Sequence, residues 1–364
     1  MKISEITSCI ESQAPLSLQE SYDNAGLLVG NPQDETDNAL ITLDVTEAVI
    51  EEAIAGGFRL IIAHHPLIFG GIKKINSQTE TGRCLLRAIR NRIAIYAAHT
   101  NLDNISGGVN SMICRKLGLN DCRILSPARG QMKKLVTFIP TAQSQSVQEA
   151  LFRAGAGHIG HYDSCGFSTD GTGSFRGDES ARPFAGQSGQ FHKEKEVRFE
   201  TIFPAHRQQQ VVHALLETHP YEEVAYDLYT LDNAHPLAGS GMIGLLPQKT
   251  EEKIFLESLK ETFGIPVIRH SKLTGRKIEK VAVCGGSGSF LIRQALQSGA
   301  NIFLTGDLKY HQYFEAEGRI ILADIGHFES EQYTKELFSE LLIKKFPKFA
   351  VRLSEINTNP VYYL

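Results

Sequence analysis

Leu60-Ile61-Ile62-Ala63-His64-His65-Pro66 is an apolar run that stops abruptly at two histidines. Four consecutive apolar residues without alternation suit a strand covered on both faces. Working outward, Ala39-Leu40-Ile41-Thr42-Leu43 is a second such run and ends at Asp44. Between the two, Thr46 can cap a helix through Ala55, and Gly56-Gly57 stop it. Downstream, a helix over about 81–91 precedes a third apolar run, Ile93 to Ala98. Continuous apolar strands alternating with helices predict a parallel sheet with helices on both sides.

The same rhythm returns from Gly239 onward. Lys280 to Cys284, Ile302 to Thr305 and Ile320 to Asp324 read as strands, and Glu329 to Lys345 as one long helix. The two outer segments look alike, which suggests a duplicated α/β architecture. The middle differs: Leu135 to Pro140, Glu196 to Phe203 and Glu223 to Leu231 read as strands, the last two with period two, Ser144 to Ala154 and Arg207 to Thr218 read as helices, and 155–189 is rich in Gly, Ser and Asp. The order β-α-β(β)-α-β suggests a ferredoxin-like α+β unit inserted into the α/β domain. The expected organisation is residues 1–126 and 236–364 as one split core, interrupted by 127–235.

Composition sets limits on function. The chain has 364 residues, with 37 Lys plus Arg against 41 Asp plus Glu, for a formal charge of −4. With 42% hydrophobic and 21% charged residues it has the make-up of a soluble globular protein. No bulk positive charge favours nucleic acid. Six cysteines without a CxxC pair suggest neither a disulfide framework nor a thiolate zinc site, so a reduced, cytoplasmic setting is expected. No stretch approaches the ~18 apolar residues of a membrane helix.

Three histidine features follow the carboxyl ends of apolar strands: Ala63-His64-His65-Pro66, Ala98-His99-Thr100-Asn101-Leu102-Asp103 and Gly326-His327-Phe328-Glu329-Ser330-Glu331. In open α/β sheets that edge binds ligands, so remote segments can converge on one crevice. Adjacent His64 and His65 leave a strand end in different directions, which suits two neighbouring ions. His327 and Glu331 are four apart at a helix start and share a face. A carboxylate such as Glu331 can bridge two cations, and Asp103 can supply another anionic ligand. Mixed nitrogen and oxygen donors suit Zn, Mn, Fe, Co or Ni more than Ca or Mg.

Tyr22-Asp23-Asn24-Ala25-Gly26-Leu27, His64-His65-Pro66, His99 to Asp103, Leu304-Thr305-Gly306-Asp307 and Gly326 to Glu331 together resemble the motifs of the Nif-three-like dinuclear metal centre family, whose members are often labelled GTP cyclohydrolase 1 type 2 homologues. The resemblance implies a three-layer α/β/α duplicated core carrying an inserted PII/CutA-like domain. It implies two divalent metal ions per subunit, with His65 and Asp103 on one, His64 and His327 on the other, and Glu331 on both. His99 would orient Asp103 or relay a proton, and Asp23 and Asn24 would lie near the mouth. It also implies a toroidal homohexamer with the insertions at threefold contacts.

The expected chemistry is metal-dependent hydrolysis of a phosphate-bearing small molecule, a nucleotide or phosphoester, with GTP ring opening as its named version. The alternative is a non-catalytic metal-binding ring whose insertion senses a ligand or docks a partner. Three further motifs compete for attention. Cys284-Gly285-Gly286-Ser287-Gly288-Ser289 can be read as a phosphate loop or as a tight turn, though it lacks the lysine of a Walker loop. His158, His161 and Cys165 invite a small metal site, and Gly171 to Gly177 with Arg176 an anion cradle.

Overall fold

In the computed structural model, which describes residues 1–364, the apolar runs become strands of two separate sheets. The chain divides into one unit formed by Met1–Ser126 with Leu237–Leu364 and a second formed by Pro127–Pro236.

In the first unit a five-stranded sheet runs in the order Gly26–Val29, Ala94–Ala97, Leu60–Ala63, Asn38–Thr42, Ala350–Leu353. Four of these strands are parallel, and only Gly26–Val29 is antiparallel. A six-stranded sheet has the order Arg269–His270, Ile321–Asp324, Ile302–Gly306, Ile278–Ser287, Gly239–Thr250, Asn120–Pro127, with the second to fourth parallel.

The alternation of side chains along each strand explains why both faces had to be apolar. Leu60 and Ile62 join Ile302, Leu304, Val281 and Val283 in one central cluster with Ile6, Ile10, Ile113 and Phe338. Their neighbours Ile61 and Ala63 turn the other way, onto Val49, Ile50, Cys84 and Ala88. On the second sheet Phe303 and Leu322 turn away from the centre onto Leu291, Ile292 and Ala295. Each sheet is therefore helix-covered on both sides, and the central helices serve both.

Local signals set the helix ends. Thr46 caps Glu47–Ala55 by accepting from the Val49 amide, and Thr79 does the same for Glu80–Arg90 through Gly82. The helix expected over 329–345 is two pieces, His327–Glu331 and Thr334–Lys345. The break lets the first short piece aim its side chains independently of the second. No helix is long and apolar enough to cross a membrane.

The second unit has a wholly antiparallel sheet in the order Gly166–Phe175, His192–Pro204, Met132–Pro140, Tyr226–Leu231. Leu135, Ile139, Phe199 and Phe203 pack one face onto Val147, Leu151, Val211 and Leu215 of its two helices. The glycine-rich stretch is a ten-residue strand, Gly166–Phe175, paired along its length with His192–Pro204.

Candidate metal centre

The five residues singled out as ligands converge at the carboxyl ends of strands from both sheets. His64 and His65 follow Leu60–Ala63, with both amides bonded to the Leu43 carbonyl at 3.2 and 2.9 Å. Asp103 closes the helical turn Thr100–Asp103 beyond Ala94–Ala97. His327 and Glu331 span the short helix after Ile321–Asp324 and meet at 3.2 Å.

Each histidine is oriented by a partner on its outer nitrogen. Nδ1 of His64 lies 2.9 Å from the Ala98 carbonyl, Nδ1 of His65 lies 2.7 Å from Asp44 Oδ1, and Nδ1 of His327 lies 2.6 Å from Asp307 Oδ2. Carbonyls and carboxylates only accept, so Nδ1 carries the proton in each ring and Nε2 faces the cluster. For neutral His64 this bond fixes the tautomer a metal-binding imidazole needs, while His65 and His327, with a carboxylate on each nitrogen, would give up an Nε2 proton to bind a metal.

Glu331 is 2% exposed and divides its two oxygens. Oε1 lies 3.7 Å from His64 Nε2, which is itself 3.6 Å from Asp103 Oδ1. Oε2 lies 2.9 Å from His65 Nε2 and 3.2 Å from His327 Nε2. The donor atoms fall into three overlapping groups, His64/Asp103/Glu331, His65/His327/Glu331 and His64/His65/His99, and two of them share Glu331. The resemblance implies a further combination of the same five donors, Asp103 with His65 and His327 with His64. His64 turns its Nδ1 to the Ala98 carbonyl and His65 turns its own to Asp44, so the two adjacent rings leave the strand end in different directions.

One pair of atoms tests whether a cation suits this cluster. His64 Nε2 and Asp103 Oδ1 are both buried, and neither has a hydrogen-bond partner. Nδ1 of His64 holds the ring proton, so Nε2 offers a lone pair across 3.6 Å to an oxygen that also offers lone pairs. Two buried acceptors facing each other are costly unless a positive charge lies between them, which a metal ion supplies and a proton taken up by Asp103 supplies in its place. The residues fit a metal ion.

The electrostatics agree. Burial opposes charge on His65, but Asp44 and Glu331 outweigh it and raise its pKa to about 10. Burial likewise opposes His327, yet Glu331 and Asp307 raise it to about 9. Burial keeps His64 neutral. Despite its burial Glu331 is held well below the usual carboxylate range by the surrounding imidazoles, while burial and the Glu331 charge push Asp103 up. The cluster draws positive charge toward Glu331.

His99 is also at the cluster, with its ring 5.3 Å from those of His64 and His65. It does not orient Asp103: its Nδ1 is held 2.8 Å from Asp23 Oδ1, and Asp23 accepts in addition from the Thr100 amide. Asp23 lies beneath His99, and the Asn24 side-chain amide donates to the Ile68 carbonyl in the segment that follows His65-Pro66. Asp44 and Asp307 are partners that the sequence reading left without a role. Each follows the end of an apolar strand, which is the signal that marks them.

The cluster opens into a cavity of about 860 Å³, walled in part by Tyr22, Phe69, Arg269, Phe290 and Tyr363. The glycine run at 285–288 lines this cavity but is no phosphate loop. Its amides are already spent within the chain: Gly285 on Asn110 Oδ1, Gly286 on Ser330 Oγ, Gly288 on Thr305 Oγ1. Gly286 has another purpose, because a Cβ there would lie 2.3 Å from Glu331 Oε1. Cys284 is buried, which pushes its thiol up and away from nucleophilic use. His158 and His161 are exposed and gather no metal-ligating group with Cys165.

Residues 1–360 match the family model described as Duf34/NIF3 (NGG1p interacting factor 3). A protein of Halalkalibacterium halodurans named GTP cyclohydrolase 1 type 2 homolog is 39% identical over 365 residues, covering 99% of this chain and 98% of that protein. The crystal structure of a Bacillus cereus protein related to NIF3 superposes with a TM-score of 0.85 at 39% identity, covering 100% of this chain and 99% of that one. The Staphylococcus aureus protein SA1388 superposes at 0.79 with 30% identity, covering 100% and 99%.

Proposed function

The chain belongs to the Duf34/NIF3 family, and on that footing we propose that it is a dinuclear divalent-metal hydrolase acting on a nucleotide or another phosphate-bearing small molecule. The observation that carries the reading is the pair of facing buried acceptors, His64 Nε2 and Asp103 Oδ1, beside a second donor group that shares Glu331. One ion would be held by His64, Asp103 and Glu331, the other by His65, His327 and Glu331. Bound there, divalent ions supply electrophilic activation of water and of an attacked phosphorus or ring carbon.

The rest of the work falls to the chain's own residues. Asp44, Asp307 and the Ala98 carbonyl hold the three imidazoles in one tautomer and one direction. Asp23 fixes His99 so that its Nε2 faces the cluster, where it can pass a proton to or from a reacting group. At the mouth, Tyr22 and Phe69 are largely exposed rings 6.2 Å apart, a surface on which a planar base can rest. GTP is the named candidate because relatives carry that label.

The finer architecture belongs to the same reading. We take the two sheets as copies of one α/β/α design, and 127–236 as a ferredoxin-like insertion of the PII/CutA type, in a ring of six chains. Light scattering of the purified protein tests the ring. The functional test is to strip the protein, reload it with Zn, Mn, Fe, Co or Ni, and follow GTP and a phosphoester panel by chromatography. Turnover that Glu331→Gln abolishes together with metal retention supports the proposal; retention of metal without turnover of any panel member overturns the hydrolase reading.

A further inference from the structure

A second cavity, of about 640 Å³, lies wholly within the Pro127–Pro236 unit, on the face of its sheet opposite the helices. Its floor is Glu196. The strand His192–Pro204 turns Val197, Phe199 and Phe203 toward the buried side, so Glu196 and Arg198 point the other way. Glu196 is nevertheless only 7% exposed. Its Oε1 accepts from the Tyr221 hydroxyl at 2.7 Å, and no group of the chain bonds Oε2. Residues opposite on the neighbouring strand are glycines: Gly171 pairs with Glu196, and a Cβ on Gly173 would collide with the Glu196 carboxylate. Any other side chain at 173 would cover the acid.

Aromatic rings form the walls. Phe175 and Tyr221 lie with centroids 5.8 Å apart at 62°, Phe184 and Tyr221 at 6.2 Å and 49°, and Phe138 also lines the space. The rings are inclined to one another and not stacked, so their faces are not used up on each other. Ring faces are negative and attract cations, most strongly where water is excluded. An aromatic box around a carboxylate with one open oxygen suits an ammonium ion whose charge is spread over alkyl groups.

The competing charges do not reverse this. Arg198 also lines the cavity, but its guanidinium is paired to Glu200 at 2.9 Å. Arg176 is exposed at the rim. Glu222 and Glu223 line the cavity as well, so with Glu196 three carboxylates stand against two guanidiniums, while Asp170, paired with Val197, turns its side chain to the other face. An anion entering the box would meet Glu196, the one buried charge.

We propose that the Phe138/Phe175/Phe184/Tyr221 box over Glu196 binds a small organic ammonium ion of the quaternary type. The inference stands apart from the metal centre and does not rest on the hydrolase reading. The Gly171–Gly177 stretch, read from sequence as an anion cradle, is on this view the open wall of a cation site.

The test uses the full-length protein with choline and tetramethylammonium as probes, followed by saturation-transfer NMR on the N-methyl protons. Saturable binding of both is expected, with the uncharged tert-butyl isostere of choline binding at least about 3-fold more weakly. Glu196→Gln keeps an acceptor for Tyr221 and should weaken choline about 10-fold or more. Phe184 is 55% exposed, so Phe184→Ala leaves the packing intact and should weaken it about 3- to 30-fold. The proposal is overturned if neither ammonium binds at tens of millimolar, if the neutral isostere binds equally, if Phe184→Ala binds like wild type, or if inorganic phosphate occupies the box in place of choline.

Discussion

Replacing Gly286 by alanine separates the metal centre from the fold that carries it. The glycine has φ +60°, a left-handed conformation that costs a residue with a Cβ about 1–2 kcal/mol. At about 2–4 °C per kcal/mol for a unit of this size, the melting temperature should fall by roughly 2–8 °C. The added methyl would lie 2.3 Å from Glu331 Oε1 and 3.2 Å from His327 Nε2. Restoring ordinary contact moves that oxygen by about 1 Å, several times the ~0.2 Å that metal coordination tolerates. Glu331 serves both donor groups, so retention of both ions should fall by at least the ~10–100-fold seen when an outer partner of a ligand is lost. Gly275→Ala is the control: its φ is +74°, but nothing lies within 4 Å of the new methyl. It should lower the melting temperature similarly and leave metal retention unchanged. Equilibrium dialysis with metal analysis, alongside thermal unfolding, reads both quantities. Wild-type metal retention in Gly286→Ala would refute the placement of Glu331 between two ions.

Two further outcomes follow from the partners of single histidines. Asp44→Asn keeps the shape but loses the charge beside His65 Nδ1, so metal affinity should fall about 10–100-fold with little change in fold, measured by competition with a chelating dye. In the second unit, burial and the neighbouring Arg207 depress His206 to about 4 from the usual 6.5, so the folded state favours its neutral form. The unfolded chain takes up this proton first, and stability is therefore full above about 6.5 and is lost as the pH falls toward 4. His206→Gln should lose less of its melting temperature between neutral pH and pH ~5 than wild type does; equal losses would count against the assignment.

How much of this was legible depended on whether a residue's neighbours are close in sequence. Leu60–Ala63 and Ile302–Gly306 were legible because two-sided burial demands an unbroken apolar run. Gly166–Phe175 was not, since an exposed strand opposite an acid carries Gly, Ser, Thr and Asp, the composition of a loop. Gly239–Thr250 was missed as a twelve-residue strand for a similar reason, its glycines hiding the periodicity. His64, His65, Asp103, His327 and Glu331 could be picked out because strand ends in an α/β sheet share one edge. The partner that holds each ring could not, because Ala98 and Asp44 come to the outer nitrogens of His64 and His65 only in the folded chain. The role of Gly286 needed the position of Glu331, 45 residues away in the chain, as 331 − 286 shows.

The separation of the donors along the chain has a consequence for how the protein is made. Glu331 follows His65 by 266 positions. At the ~5–20 residues per second of a translating ribosome, the histidine pair waits roughly 13–53 s for the carboxylate that completes it. Throughout that interval the nascent chain has His64, His65, His99 and Asp103 but lacks the carboxylate that two of the donor groups share. A centre that depends on Glu331 would therefore be completed only after residue 331 has been made, from the pool of free metal the cell then offers.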